Sequence, residues 1–144
     1  MANMLKISEA ASLGLHATAV LAACKDRITT TPEIAEWLDV SEAHLAKVLQ
    51  RLHKAQLVES VRGPKGGFML SKPADDISLL EVYEAIEGRL VADTCLLATP
   101  LCDENECILG NLLEKVYEQV NGYLSATTLA DVAGILQKAI GNRM

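Results

Sequence analysis

The stretch from Thr31 to Leu70 constrains the fold more than any other part of the chain. Thr31-Pro32-Glu33 joins a hydroxyl cap, a proline suited to the first helical position and an acid facing the positive end of a helix dipole. It predicts a short helix to Leu38 that buries Ile34, Ala35 and Leu38. Asp39-Val40 reads as a tight turn. Ser41, followed by Glu42, then caps a helix running to about Ala55. That helix has two faces. Leu45, Val48, Leu49 and Leu52 form an apolar stripe, and His44, Lys47, Arg51 and Lys54 form another, with centres roughly 130° apart. Two short helices, a tight turn and a basic outer face make a helix-turn-helix pattern. Residues 57–61 and 68–70 read as strands joined by Arg62-Gly63-Pro64-Lys65-Gly66-Gly67, a hairpin where a winged helix carries its wing. The phosphate-loop pattern GxxxxGK[ST] is absent and no helix follows directly, so these glycines do not cradle a nucleotide.

Charge supports the same reading once it is divided along the chain. The net charge is −6. Residues 1–72 carry +2 and residues 73–144 carry −8. Between His44 and Lys65 lie Lys47, Arg51, Lys54, Arg62 and Lys65 against the single acid Glu59. A local basic patch, not the total, governs phosphate contact. Aromatics form only 3% of the chain, which argues against stacking of single-stranded bases.

The flanking segments are helical. A first helix starts near Ser8 or Glu9, with Leu13, Ala17, Val20, Leu21 and Cys24 on one stripe. After the linker Lys72-Pro73-Ala74-Asp75-Asp76, Ser78-Leu79-Leu80-Glu81 is a capping box, Ile77 and Val82 form its hydrophobic staple, and the helix ends at Gly88. Helical periodicity resumes from Ile108 with Leu109, Leu112, Leu113, Val116 and Val120, and weakens or ends at Asn121-Gly122. Thr128 caps a last helix with Leu129, Val132, Leu136 and Ile140 on one face. The long amphipathic helix is expected to bury its stripe in a second copy of the chain, because symmetric dimers match palindromic DNA. No run reaches the about 18 apolar residues of a membrane span, and the start lacks a signal-peptide pattern. A cytoplasmic protein without a membrane partner is therefore expected.

Four cysteines are then expected to be reduced. Cys24, on an apolar stripe, reads as a buried core thiol. Cys95, Cys102 and Cys107 give the spacing C-x6-C-x4-C in a segment without periodicity. Asp93, Asp103, Glu104 and Glu106 surround them. Spacing alone admits three readings: an iron–sulfur cluster with a fourth ligand from elsewhere, a zinc site, or a thiol–disulfide switch using two of the three. No Ser-His-Asp order, paired-carboxylate cleft or phosphate loop points to an enzyme. A winged helix serving only as a protein-interaction module is the rival binding class, and the basic patch argues against it.

Thr31-Pro32-Glu33-Ile34-Ala35, the helix Leu45-x-x-Val48-Leu49-x-Arg51-Leu52 and the wing Val61-Arg62-Gly63-Pro64-Lys65-Gly66-Gly67-Phe68 resemble the Rrf-type regulators, which include the IscR-like, NsrR-like and RirA-like bacterial repressors. The three-Cys segment, the long helix and Thr128-Leu129-Ala130-Asp131 fit the same family. The resemblance spans about Met4 to Ile140. It implies a mainly α fold with a small β-hairpin wing: a winged helix-turn-helix domain over 1–72, then a cysteine loop (92–107) and dimerisation helices over 73–144. It also implies a homodimeric DNA-binding repressor. Ala43, His44, Lys47 and Gln50 would lie near base edges, and Arg51, Lys54, Arg62, Gly63, Lys65 and Gly66 near phosphate or the minor groove. Leu109, Leu112, Leu113, Val116 and Val120 would join the two subunits. Cluster-binding members hold a [2Fe–2S] or [4Fe–4S] cluster through three loop cysteines, matching Cys95, Cys102 and Cys107. Some members add a His three residues after the last Cys, but here that position is Gly110. Others use a carboxylate or His from the partner's first helix. The carboxylate position falls at Ser12 and the His position at His16. The resemblance thus points to His16 as fourth ligand, with Glu9, almost one turn earlier, as the backup. The alternative keeps the DNA binding and controls it by thiol redox or zinc.

Overall fold

The structure is a computed structural model and describes residues 5–92, 95–103 and 106–143. Among the described residues, six α-helices and one hairpin follow in the order α1 (Glu9–Ala23), α2 (Thr31–Leu38), α3 (Glu42–Lys54), β1 (Val58–Val61), β2 (Gly67–Leu70), α4 (Leu79–Glu87), α5 (Leu112–Ala126) and α6 (Leu129–Ile140). A single 3-10 turn, Ala74–Asp76, lies between β2 and α4. Among the described residues no helix is long and apolar enough to cross a membrane.

The central element is α1, which packs against α2, α3, α4, α6 and β2. Its small residues permit this close approach. Ala11, Gly14, Ala17, Ala19 and Ala22 are all buried, and a Cβ on Gly14 would lie 3.1 Å from the Ile86 side chain. The expected stripe is buried as well, including Leu13, Val20, Leu21 and the Cys24 thiol. Ile34 and Ala35 of α2, and Leu45, Val48, Leu49 and Leu52 of α3, complete the core of the helix-turn-helix unit.

Local chemistry sets the helix starts. Ser41, Ser78 and Thr128 cap as expected, Ser8 caps α1, and Ser78 and Thr128 form capping boxes with Glu81 and Asp131. These two boxes lie side by side: the Leu79 N–H donates to Thr127 O and the Leu129 N–H to Ile77 O, both at 2.9 Å. Helices α4 and α6 thus start together.

Four sequence expectations need correction. Thr30, not Thr31, caps α2. Its extended backbone lets the hydroxyl accept the Glu33 N–H at 3.3 Å while Glu33 accepts the Thr30 N–H at 2.9 Å. Trp37 takes the buried position assigned to Leu38, which is half-buried. The indole N–H donates to Arg143 O at 3.3 Å, and Arg143 donates back to Trp37 O at 3.4 Å, so the turn after α6 seals this ring. Helix α5 starts only at Leu112, because residues 108–110 form a turn with Gly110 at φ +60°. It then runs through Asn121-Gly122 without a break. A helical glycine costs about 1 kcal/mol, and burial of the neighbouring Leu124 offsets that.

Glu33 also provides a pH test. The Thr30 N–H bond, outweighing desolvation and aided by Arg27 at 2.5 Å, holds this carboxyl below its ordinary value of 4.5. A depressed folded pKa contributes stability above the unfolded value, and that stability is lost as pH falls through the folded one. Glu33→Gln is expected to lower stability at pH 7 and to flatten the acid limb below about pH 4.5 in urea titrations. Equal acid limbs in both proteins would contradict this.

Candidate nucleic-acid interface and cysteine segment

The outer face of α3 is open. Ala43, Lys47, Gln50, Arg51 and Lys54 are exposed and His44 is half-buried. Ser41 fixes the start of the helix by accepting the His44 N–H at 3.3 Å. Its other end is tied to the hairpin, because His53 Nδ1 donates to Val58 O at 3.2 Å. His44 Nδ1 lies 3.8 Å from Glu9 Oε1, which makes Glu9 the acidic neighbour of this face. Lys47, Lys54, Arg62 and Lys65 form no ion pair with any described residue. One Arg51 guanidinium N–H is engaged, donating to Ile86 O at 3.3 Å.

The hairpin pairs Val58 with Leu70 and Val61 with Gly67 in antiparallel register. It does not stand alone. The Thr29 N–H donates to Phe68 O at 2.9 Å and the Phe68 N–H to Thr29 O at 2.8 Å, bonding β2 to the chain entering α2. At the tip Arg62, Gly63 and Lys65 are exposed. Gly63 has φ +112°, a conformation that L side chains avoid. A Cβ on Gly66 would lie 2.2 Å from Val61 O, so only glycine closes the turn. The wing tip therefore exposes two cations, and its glycines shape it.

The cysteine segment is loosely covered. Cys95 and Cys107 are half-buried and Cys102 is exposed, and all are free thiols. Cys95 Sγ accepts the Leu97 N–H and Cys107 Sγ the Leu109 N–H, each at 3.4 Å. In both, the donor sits two residues beyond the sulfur. Among the described residues no three His, Cys, Asp or Glu side chains gather as a metal site. Asp93 and Glu104 lie outside the described residues, whereas Asp103 and Glu106 are exposed within the segment. His16 is exposed on α1, and its Nδ1 donates to Ser12 O at 2.7 Å, leaving Nε2 as the open ring nitrogen. Neither His16 nor Glu9 joins the cysteines of its own chain in such a group.

Apolar surface continues from this segment along α5. Leu101 is 86% exposed, Ile108 91%, Leu112 52% and Val116 39%, while Leu109, Leu113 and Val120 are half-buried. Helix α5 packs mainly on α4. A groove of about 280 Å³ runs between them, lined by Ile7, Tyr83, Val91, Leu113, Val116 and Val120 among others.

Comparison with known proteins agrees with this architecture. The family model described as Rrf2, an iron-dependent transcriptional regulator, matches residues 7–134. A putative HTH-type transcriptional regulator of Aquifex aeolicus is 34% identical over 134 residues, covering 91% of this chain and 93% of the relative. Among solved structures, CymR, the global cysteine regulator of B. subtilis, superposes with a TM-score of 0.78 at 29% identity, covering 92% of this chain and 98% of its own. IscR of T. potens superposes at 0.70 and 28% identity, covering 98% and 93%. The relatives are regulators, not enzymes. With a helix-turn-helix, a glycine-closed wing and a family match over most of its length, this chain belongs to the Rrf2 family of winged-helix transcriptional regulators.

Proposed function

We propose that two copies of the chain bind a palindromic DNA operator as a repressor, and that an iron–sulfur cluster at Cys95, Cys102 and Cys107 controls the affinity. Helix α3 enters the major groove with Ala43, His44, Lys47 and Gln50 towards base edges. Lys54, Arg62 and Lys65 neutralise phosphates, a role supported by their exposure and lack of acidic partners. The apolar face of α5, with Leu109, Leu112, Leu113, Val116 and Val120, joins the copies. Its exposed leucine and valine surface supports this.

The pair of N–H···S bonds at Cys95 and Cys107 carries the cluster reading. Backbone N–H donors to cluster sulfurs tune cluster potentials. Three soft sulfurs fit the group chemically, and its binding would close the segment around it. His16 of the partner subunit is the proposed fourth ligand, with Glu9 of the partner subunit as backup. When bound, the group supplies an iron centre whose state responds to oxidants and small ligands. The chain's own part is to hold three thiolates and to draw Cys95, Cys102 and Cys107 together in a fixed order beside α5. Such ordering alters DNA affinity only where the two states place the α3 helices differently.

Protein purified without oxygen is expected to show broad visible absorbance with matched iron and sulfide, both lost in Cys107→Ser. A colourless protein without iron or sulfide, even after reconstitution, would sink the cluster reading. The second reading is a metal-free thiol switch, which needs only two of the three free thiols Cys95, Cys102 and Cys107. Its signature is an intramolecular disulfide found by mass mapping of oxidised protein.

A further inference from the structure

Three bonds meet in the last turn of α4. The Ile86 carbonyl is one of the last four that a helix leaves without an internal partner, and it accepts the Arg51 Nη1–H at 3.3 Å. The Glu87 carboxylate accepts the hydroxyl of Ser8, the cap of α1. Glu84 Oε2 accepts the Leu90 N–H at 2.8 Å. One helical turn thus grips α3, the start of α1 and the first residues of the chain leading to Cys95. The same turn is locked by packing. Ile86 is buried, and a Cβ on Gly14 would lie 3.1 Å from Ile86 Cγ1 and 3.6 Å from Val48 Cγ1, so α1, α3 and α4 interlock there. A guanidinium suits this place, because the C-terminal end of α4 carries partial negative charge and has no basic residue of its own in its last turn.

The structure assigns Arg51 to positioning rather than phosphate contact. Its guanidinium holds α3 at a set angle on the last turn of α4, the turn from which the cysteine segment departs. The assignment rests on the DNA-binding reading above and adds a mechanical route to it. A change at Leu90 acts on Glu84, the turn carrying Glu84 also carries Ile86, and Arg51 passes the displacement to α3. This is a contiguous path through one helical turn with a hydrogen bond at each end.

The test titrates a palindromic duplex of about 30 base pairs, selected from a random pool by the wild-type protein, at several salt concentrations. Arg51 is exposed and alanine favours helix, so Arg51→Ala keeps the fold. Arg51→Ala is expected to weaken binding about tenfold while the slope of log affinity against log salt stays at the wild-type value. Arg51→Gln, a donor without the charge, recovers part of the loss. Lys54→Ala, as a control, lowers the slope by about 0.9. A slope lowered by about 0.9 in Arg51→Ala, with no recovery by glutamine, makes Arg51 a phosphate contact and overturns the assignment while DNA binding stands. Failure of the wild type to select or bind any duplex overturns the DNA reading and this one with it.

Discussion

Lys54→Glu is expected to weaken duplex binding about sixtyfold at 0.1 M salt. Each phosphate neutralised contributes about 0.9 to the salt slope, which is roughly eightfold in affinity between 1 M and 0.1 M. Reversal removes one such charge and adds a repulsive one, so the factor applies about twice. Lys54 is suited to the test because it is exposed, lies on the face opposed to the Leu45-Val48-Leu49-Leu52 stripe and has no acidic partner among the described residues. The loss should shrink at higher salt, and unfolding free energy should change by under about 1 kcal/mol. Anisotropy titrations at three salt concentrations read the affinity and its slope, and urea unfolding reads the stability. A loss under threefold, with the slope unaltered, would remove α3 from the interface.

Leu49→Ala is expected to cost about 3 kcal/mol of folding stability. Leu49 is fully buried between α3 and the rest of the core, and three neighbours on its stripe, Leu45, Val48 and Leu52, are equally covered. Such a site has little freedom to collapse around the missing methyls, so lost transfer energy and a cavity add. In a chain of this size the melting point should fall by roughly 6–12 °C. A loss near 3 kcal/mol is a large share of a typical domain's total of about 5–15 kcal/mol. The basic face is untouched, so DNA affinity at low temperature should remain within about twofold. A cost under 1 kcal/mol in urea unfolding would mean that α3 is not seated as described.

The local parts of the fold were legible because short-range chemistry decides them. Ser41, Ser78 and Thr128 each sit before an apolar period, and the structure uses all three as caps. Three successive threonines hid the start of α2. Only the reach of Glu33 back to the Thr30 N–H settles a register that any of the three hydroxyls could open. Asn121-Gly122 misled because a propensity cost of about 1 kcal/mol competes with burial that depends on distant α4. The basic face and the wing tip were readable from spacing and charge. The bond of Arg51 to Ile86 was not, because it joins residues 35 apart and exists only once α3 and α4 are packed. Nothing in the cysteine spacing could reveal the donors at Leu97 and Leu109, since they depend on how the chain turns after each sulfur.

Because Thr29 and Phe68 bond the hairpin to the chain entering α2, and His53 bonds α3 to β1, helix and wing approach a duplex as one rigid die. One base pair inserted between the steps that each touches would rotate them by about 34° around the duplex axis. Only one of the two could then seat. Natural targets of this protein should accordingly tolerate changes of letter within a half-site far better than changes of length.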